Sequence, residues 1–271
     1  MPELPEVETA RRGVAPHLEG RIVRETIVRQ RQLRWPVPAE LETTLAGARI
    51  ESVQRRGKYL LIETAPGTLI VHLGMSGSLR VLPAATPPGP HDHVDIVLDN
   101  GRCLRLRDPR RFGTILFTRD DPLMHPLLRH LGPEPLTDAF NGNYLYTRSR
   151  GRRVAIKNLL MNSRIVAGVG NIYANEALFA ARVHPLRAAG RVARPRCELL
   201  AQAVKDVLIA AIAAGGTTLR DFTRDDGRPG YFRIELKVYD RADEPCPRCG
   251  TPIRRVVTGQ RATYYCPRCQ R

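Results

Sequence analysis

Ile50-Glu51-Ser52-Val53-Gln54-Arg55-Arg56-Gly57-Lys58-Tyr59-Leu60-Leu61-Ile62-Glu63 opens the stretch that decides the fold. It consists of two short runs rich in β-formers, broken by a glycine, the pattern of two strands and a tight turn. The pattern recurs at Thr68 to Leu73, Ser78 to Leu82, Val94 to Leu98, Cys103 to Arg107 and Thr114 to Phe117. Pro66-Gly67, Pro87-Pro88-Gly89-Pro90 and Asn100-Gly101 punctuate the runs, and these residues favour turns through a fixed or positive φ. Strands at this spacing predict an antiparallel β-sandwich.

Toward the N-terminus, Ile22 to Arg31 reads as a strand and Pro38 to Leu45 as a short helix closed by Gly47. From Glu6 to Leu18, Val7, Ala10, Val14 and Leu18 share one helical stripe, and Gly20 stops it. In front of that helix stands Met1-Pro2-Glu3-Leu4-Pro5-Glu6. Trimming of Met1 is expected, which would leave Pro2 as a secondary amine titrating near ~8, low enough to attack at neutral pH. Attack on a sugar C1′ would give an iminium, with Glu3 and Glu6 beside it for proton transfer. On these six residues alone the plainer reading is favoured: prolines stiffening a terminus and acids opening a helix. The remainder of the chain reverses it.

The chain has 271 residues, room for two domains. Lys plus Arg number 43 against 27 Asp plus Glu, a formal charge of +16. Such a surplus points to a polyanion as partner, though charge alone does not separate DNA from RNA or anionic lipid. Arg11-Arg12, Arg55-Arg56, Arg110-Arg111, Arg152-Arg153 and Arg254-Arg255 are spread along the chain, as in a folded protein that touches a backbone from several elements. No apolar run reaches the roughly 18 residues that span a bilayer, and the start is acidic where a signal sequence is basic then apolar. A cytosolic or nucleoid-associated monomer away from membranes is expected.

Within the strand region, Lys58 after Gly57 suits proton transfer or a phosphate, although an exposed lysine at a strand end is commoner. Met75 in Leu73-Gly74-Met75-Ser76-Gly77 and Phe112 in Asp108-Pro109-Arg110-Arg111-Phe112-Gly113 sit on loops. Either could cap the core, but apolar wedges beside arginines are what unstacking a base requires. His91-Asp92-His93 offers too few ligands for a metal by itself.

Leu123 to Leu131 reads as a short helix, and Gly132-Pro133-Glu134-Pro135 as the linker. Two helices, Ala155 to Leu160 and Asn171 to Arg182, follow around Ile165-Val166-Ala167-Gly168-Val169-Gly170. Free N–H groups at Asn171 with Lys157 nearby would make a phosphate site. A long helix from Pro195 to Ala214 is expected to bury Leu199, Leu200, Val204, Leu208 and Ile212, and the polar Thr217 to Tyr231 could fold over a ligand. Cys246-Pro247-Arg248-Cys249 and Cys266-Pro267-Arg268-Cys269 are two C-x-x-C turns at a spacing that supplies four thiolates to one structural Zn2+. Cys103 and Cys197 stand alone and read as apolar residues.

Together these residues resemble the bacterial formamidopyrimidine-DNA glycosylase family. The resemblance is carried by Pro2 to Thr9, His72 to Gly77, Asp108 to Gly113, Val169 to Ala174 and the four-cysteine finger. It implies an α+β protein: an antiparallel β-sandwich flanked by helices over 1–131, a linker over 132–150, a helix-two-turns-helix domain with a lesion-capping loop over 151–235, and a zinc-finger β-hairpin over 236–271. It implies a bifunctional glycosylase and lyase acting on double-stranded DNA with oxidised purines or abasic sites. By resemblance Pro2 attacks C1′, Glu3 transfers protons, Lys58 assists strand cleavage, Arg261 serves the later elimination and Glu6 lies near the base pocket. Met75, Arg110 and Phe112 fill the gap left by the extruded nucleotide, Lys157 and Asn171 contact phosphates, and His91 and Arg152 contact DNA. Gly151 stands where relatives often carry lysine, and Asn162 where aspartate is expected. The sister endonuclease VIII class opens with Pro-Glu-Gly-Pro-Glu, against which Leu4 argues. A non-catalytic DNA binder on the same scaffold would not need Pro2, Glu3 and Lys58 together.

Overall fold

The computed structural model describes residues 2–215 and 236–271. The expected capping segment, Thr217 to Tyr231, lies outside the described residues. The chain divides into two compact units, one holding the residues up to Arg129 and the other beginning at His130.

The first unit is built on two four-stranded antiparallel sheets. One runs β1 (Val23–Val28), β6 (Asp92–Leu98), β7 (Arg102–Arg107), β5 (Ser78–Pro83), and the other β2 (Ile50–Arg56), β3 (Tyr59–Thr64), β4 (Gly67–His72), β8 (Thr114–Thr118). The turn between β2 and β3 has two residues, with Gly57 at φ +57° in its first central position. Glycine is favoured there because a Cβ would be strained, and the turn fixes where Lys58 emerges. Helix α1 (Leu4–Leu18) packs on β2 and β5, and α2 (Leu41–Leu45) on β1. Leu4, Val7, Val14 and Leu18 of α1 are all buried. Burial of each such side chain contributes about 1.5–3 kcal/mol before entropy is subtracted.

Glu8 ties α1 to the sheet. Its carboxylate accepts from Arg11 (2.9 Å), Arg12 (2.8 Å) and Arg55 (3.1 Å). Arg11 also reaches Val53 O of β2, and Arg55 reaches Gly57 O. Burial alone would raise the Glu8 carboxyl, but the bonds from three guanidiniums outweigh it and hold it at about 2. A carboxyl depressed on folding stabilises the native state above its unfolded value near 4.5, and that stabilisation is lost as pH falls toward 2. Replacing Glu8→Gln should therefore cost on the order of 2 kcal/mol at pH 7, a difference that shrinks in urea unfolding at pH 3. An equal cost at both pH values would contradict the ion-pair account.

The expected helix from Leu123 to Leu131 is absent; only a single 3-10 turn, Pro122–Met124, forms there. Pro126 has no N–H and disfavours helical backbone at His125, which takes ψ 139°. The stretch 132–150, expected as a linker, contains α3 (Gly142–Ser149), which packs on α6 (Arg194–Ala213). Asn141 caps α3 by accepting from Tyr144 N–H at 2.9 Å. A Cβ on Gly142 would lie 2.4 Å from Glu198 Cα, so the close approach of the two helices demands glycine.

Between α4 (Ile156–Leu160) and α5 (Asn171–Ala180) the chain makes the expected turns. Asn162 Oδ1 accepts from Arg164 N–H at 3.0 Å, so asparagine closes this turn as an aspartate would. Helix α6 buries Leu200, Val204 and Leu208, while Leu199 is exposed and Ile212 only half-buried, contrary to expectation. Cys197 and Ala201 take the buried places beside Leu200, which turns the stripe away from Leu199. Cys103 and Cys197 are buried, as expected of apolar residues. The second unit ends in a hairpin of β9 (Arg254–Thr258) and β10 (Arg261–Tyr265). No helix among the described residues is long and apolar enough to cross a membrane.

Candidate active site and metal centre

Helix α1 begins two residues after Pro2, the expected nucleophile. Pro2, Glu3 and Glu6 are all buried. The Glu6 carboxylate accepts from the Glu3 N–H at 2.8 Å, within a reciprocal capping box. Glu6 is thus engaged in holding the backbone of its neighbour in place, so a side chain expected near a base pocket also fixes where Pro2 and Glu3 point. Such a box saturates two of the orphan N–H groups of a helix start.

Lys58 follows Gly57 in the β2–β3 turn, and its charge is felt at His72, the last residue of β4. Burial, then the positive charges of Lys58 and Arg34, bring His72 down to about 4. The neutral ring accepts from Gly74 N–H through Nδ1 at 3.0 Å and meets the Tyr59 ring at 4.8 Å. His72 therefore links the lysine turn to the loop that carries Met75. Reading residue types alone passed over it, although it begins the quoted motif.

The loops 73–77 and 108–113 interlock. Asp108, fully buried, accepts from the Ser76 hydroxyl at 2.9 Å and from Gly113 N–H at 2.7 Å, and its carbonyl lies 2.8 Å from His93 Nε2. His93 is so occupied, and its ring stands 6.5 Å from that of His91. The loops present Met75 and Phe112 with 36% and 43% exposure, so neither caps the core. The Arg110 guanidinium lies 4.9 Å from the centre of the Phe112 ring, a cation–π contact that aligns the two. Asp108 was missed because an aspartate before proline reads as an ordinary turn residue.

Gly74 is held at φ +63°, and a Cβ there would sit 2.4 Å from Phe112 C. Gly74→Ala should push the two loops apart at a cost of about 2 kcal/mol or more. For the activity that the resemblance implies, excision of a damaged base should fall by more than about tenfold, while cleavage at a preformed abasic site, which needs less unstacking, should fall less. Equal losses on both substrates would count against a wedge role.

In the second unit the Lys157 ammonium is buried and donates to Ala262 O (2.9 Å) and Thr263 Oγ1 (2.7 Å). Asn171 Nδ2 donates to the same Ala262 O at 3.1 Å, and Asn175 Oδ1 accepts from Tyr264 N–H at 2.8 Å. Two residues expected to contact phosphates are thus seen bracing β10, next to Arg261. The physical reason is that a buried ammonium must be hydrogen-bonded, and β10 supplies the acceptors. Arg261 is exposed at the start of β10, and Gly259 and Gln260 before it turn with positive φ. Arg152 is exposed beyond Gly151, which adopts φ +69°. Glu176, another residue that no motif flagged, accepts from the N–H groups of Lys237, Val238 and Tyr239 at 2.8–2.9 Å.

The sulfurs of Cys246, Cys249, Cys266 and Cys269 lie within 4.8 Å of one another. Cys246 and Cys269 are 3.9 Å apart, Cys249 and Cys266 3.5 Å. A tetrahedral zinc with bonds of about 2.3 Å sets its sulfurs about 3.8 Å apart, so the set fits one ion with no open position. Bonds from Thr251 bring Cys249 down to about 6, while burial and adjoining sulfurs push Cys269 up to about 12. Crowded thiols cannot all ionise without a cation between them.

Three family profiles match the chain: the formamidopyrimidine-DNA glycosylase N-terminal domain over residues 1–115, the H2TH domain of the same enzymes over 131–223, and a zinc finger found in FPG and IleRS over 243–271. The formamidopyrimidine-DNA glycosylase of Nitrosococcus oceani is 59% identical over 270 residues, and that of Methylococcus capsulatus 58% over 271, with both chains fully covered in each case. Among solved structures, the Fpg protein of Thermus thermophilus superposes with a TM-score of 0.88 at 40% identity, covering 99% of this chain and 98% of that one. The Lactococcus lactis Fpg in complex with DNA containing an abasic site superposes at 0.91 and 32% identity, covering 99% of each.

Proposed function

The chain belongs to the formamidopyrimidine-DNA glycosylase family, and we propose that it excises oxidised purines from duplex DNA through the amine of Pro2 and then breaks the strand. It acts in base excision repair as a glycosylase and an abasic-site lyase, in the cytoplasm or at the nucleoid. The observation that carries the assignment of residues is the buried α1 start, where Glu6 bonds the Glu3 N–H and so holds Pro2 and Glu3 as one unit.

Once Met1 is removed, the Pro2 nitrogen attacks C1′ and the bond to the base breaks. The departing base takes a proton, and Glu3 supplies protons to the opening sugar. The adduct is a secondary-amine iminium, whose positive charge makes the C2′ proton acidic. Loss of that proton expels the 3′ phosphate, and a second elimination expels the 5′ phosphate. The products are a one-nucleotide gap with phosphate at each end and a sugar fragment released from Pro2 by water. Lys58 assists the first elimination and Arg261 the second by stabilising the leaving phosphates.

Extrusion of the nucleotide costs a few kcal/mol, offset by Met75 and Phe112 entering the stack and by Arg110 facing the orphaned base. His91, Arg152 and Asn171 hold backbone phosphates, the last from the N-terminal turn of α5, while Lys157 serves by anchoring the β9–β10 hairpin. The zinc held by Cys246, Cys249, Cys266 and Cys269 fixes that hairpin and takes no part in bond making.

The test is borohydride reduction during incubation with duplex DNA containing 8-oxoguanine opposite cytosine, followed by peptide mapping of the trapped conjugate. An adduct on Pro2 is expected. A conjugate on an internal lysine would remove the mechanism, and cleavage of thymine glycol duplexes alone would move the substrate to the endonuclease VIII class.

A further inference from the structure

At the C-terminal end of α5, a cavity of about 590 Å³ is lined by Arg182, Arg196, Arg248, Arg268 and Arg271 together with two of the finger cysteines. Among the described residues no carboxylate side chain lines it. Two of the five arginines are engaged with the helix itself. Arg248 donates to the carbonyls of Phe179 (3.3 Å) and Ala180 (3.4 Å), and Arg196 to that of Ala181 (3.3 Å). They close the negative end of the helix. The guanidiniums of Arg182, Arg268 and Arg271 bond to no protein group among the described residues. Four thiolates around one Zn2+ carry a formal charge of about −2, which offsets only part of this charge. A second cavity, of about 700 Å³, shares Arg271 and adds His184, Arg187 and Arg191, again without a carboxylate side chain among the described residues.

An ordinary solvated arginine face splays its charges apart. Here five of them line one concavity, and like charges gathered in this way repel one another unless anions offset them. Among the described residues neither cavity is lined by Phe, Tyr or Trp, so the lining favours contacts to phosphates over stacking on bases. The two cavities side by side suit a ligand with phosphates in a row. The site is also separate from Asn171, which begins α5: the ten residues of that helix span about 15 Å.

We propose that these arginines form a second phosphate-binding site that takes the backbone of a stretch of nucleic acid other than the one from which the base is removed. Recognition is independent of sequence, since phosphate contacts position without specifying. The second site keeps the protein attached to DNA while the lesion site engages and releases its own segment.

The test uses the full, zinc-loaded chain, its lesion site saturated with a short duplex bearing a stable abasic analogue. A labelled, undamaged duplex is then titrated in over a range of salt. The unaltered protein should bind it, and the variant R182A/R268A/R271A should bind it at least about tenfold more weakly. The slope of log affinity against log salt should flatten by about two to three, near 0.9 for each phosphate no longer neutralised. Zinc content and single-turnover excision should be unchanged. A control that removes equal charge from the first unit, R21A/R24A/R119A, should leave the second duplex bound. Should the triple variant lose zinc, Arg182→Ala, outside the cysteine turns, must by itself flatten the slope by about one. Equal losses in pocket and control variants, or no second duplex bound by the unaltered protein, would overturn the proposal. So would a site that takes inorganic polyphosphate and no DNA.

Discussion

Replacing Pro2 with alanine should cripple base excision, and leaving any residue attached in front of it should abolish it. With an N-terminal tag or an untrimmed Met1 the Pro2 nitrogen is an amide, its lone pair delocalised into the carbonyl, and no iminium can form. The alanine variant keeps a primary amine but loses the ring that restricts the lone pair and the secondary nitrogen that stays cationic once bonded to C1′. Covalent catalysis depends on placement as much as on basicity, and misplacing a reacting atom by about 1 Å costs on the order of a hundredfold. The measurement is single-turnover excision of 8-oxoguanine together with the borohydride trap. In the tagged chain both readouts should vanish, and Pro2→Ala should lose at least about two orders of magnitude. Affinity for abasic-analogue DNA should persist in both, because the arginines and wedge loops remain. Full activity in an uncleaved fusion would end the proposal that this nitrogen is the nucleophile.

Removing zinc has the second large effect, reached through Lys157. The finger has a small core, with Val238, Ile253 and Tyr264 packed around Cys246 and Cys266 and against Phe179. Metal sites of this type supply on the order of 10 kcal/mol to folding, more than so few apolar contacts can. Without the ion β9 and β10 separate, and Ala262 and Thr263 no longer cover the buried Lys157 ammonium. Glu176 also loses the three N–H donors at 237–239 that offset its burial, which already pushes its carboxyl up. Chelation or Cys246→Ser should therefore weaken DNA binding at least about tenfold and lower the unfolding midpoint of the second unit. The sandwich of the first unit should melt as before, read by calorimetry alongside zinc content. A chelated protein that binds DNA normally would show the finger to be dispensable.

The elements that repeat a local pattern were legible in the chain. The β-strands between Ile50 and Thr118, the stripe of α1, the α4–α5 turns and the cysteine turns all depend on spacing and on turn residues, which are local properties. The helix expected after Leu123 failed for a reason that was equally local: Pro126 outweighed the run of leucines. Leu199 failed for a different one, since which flank of α6 faces inward depends on what packs there.

By itself the sequence determined the succession of strands along the chain, the metal ligands, and the presence of an imino acid with two acids close behind it at the start of the chain. Only the tertiary structure decided that Glu6 holds the Glu3 backbone, that Asp108 joins the loops carrying Met75 and Phe112, and that Lys157 and Asn171 brace the finger. The division has a physical cause. Turn and strand preferences follow from each residue's own sterics, whereas the partner of a buried polar group is whatever acceptor the folded chain brings within about 3 Å. Lys157 and Ala262 are 105 positions apart, and nothing along the chain marks them as a pair.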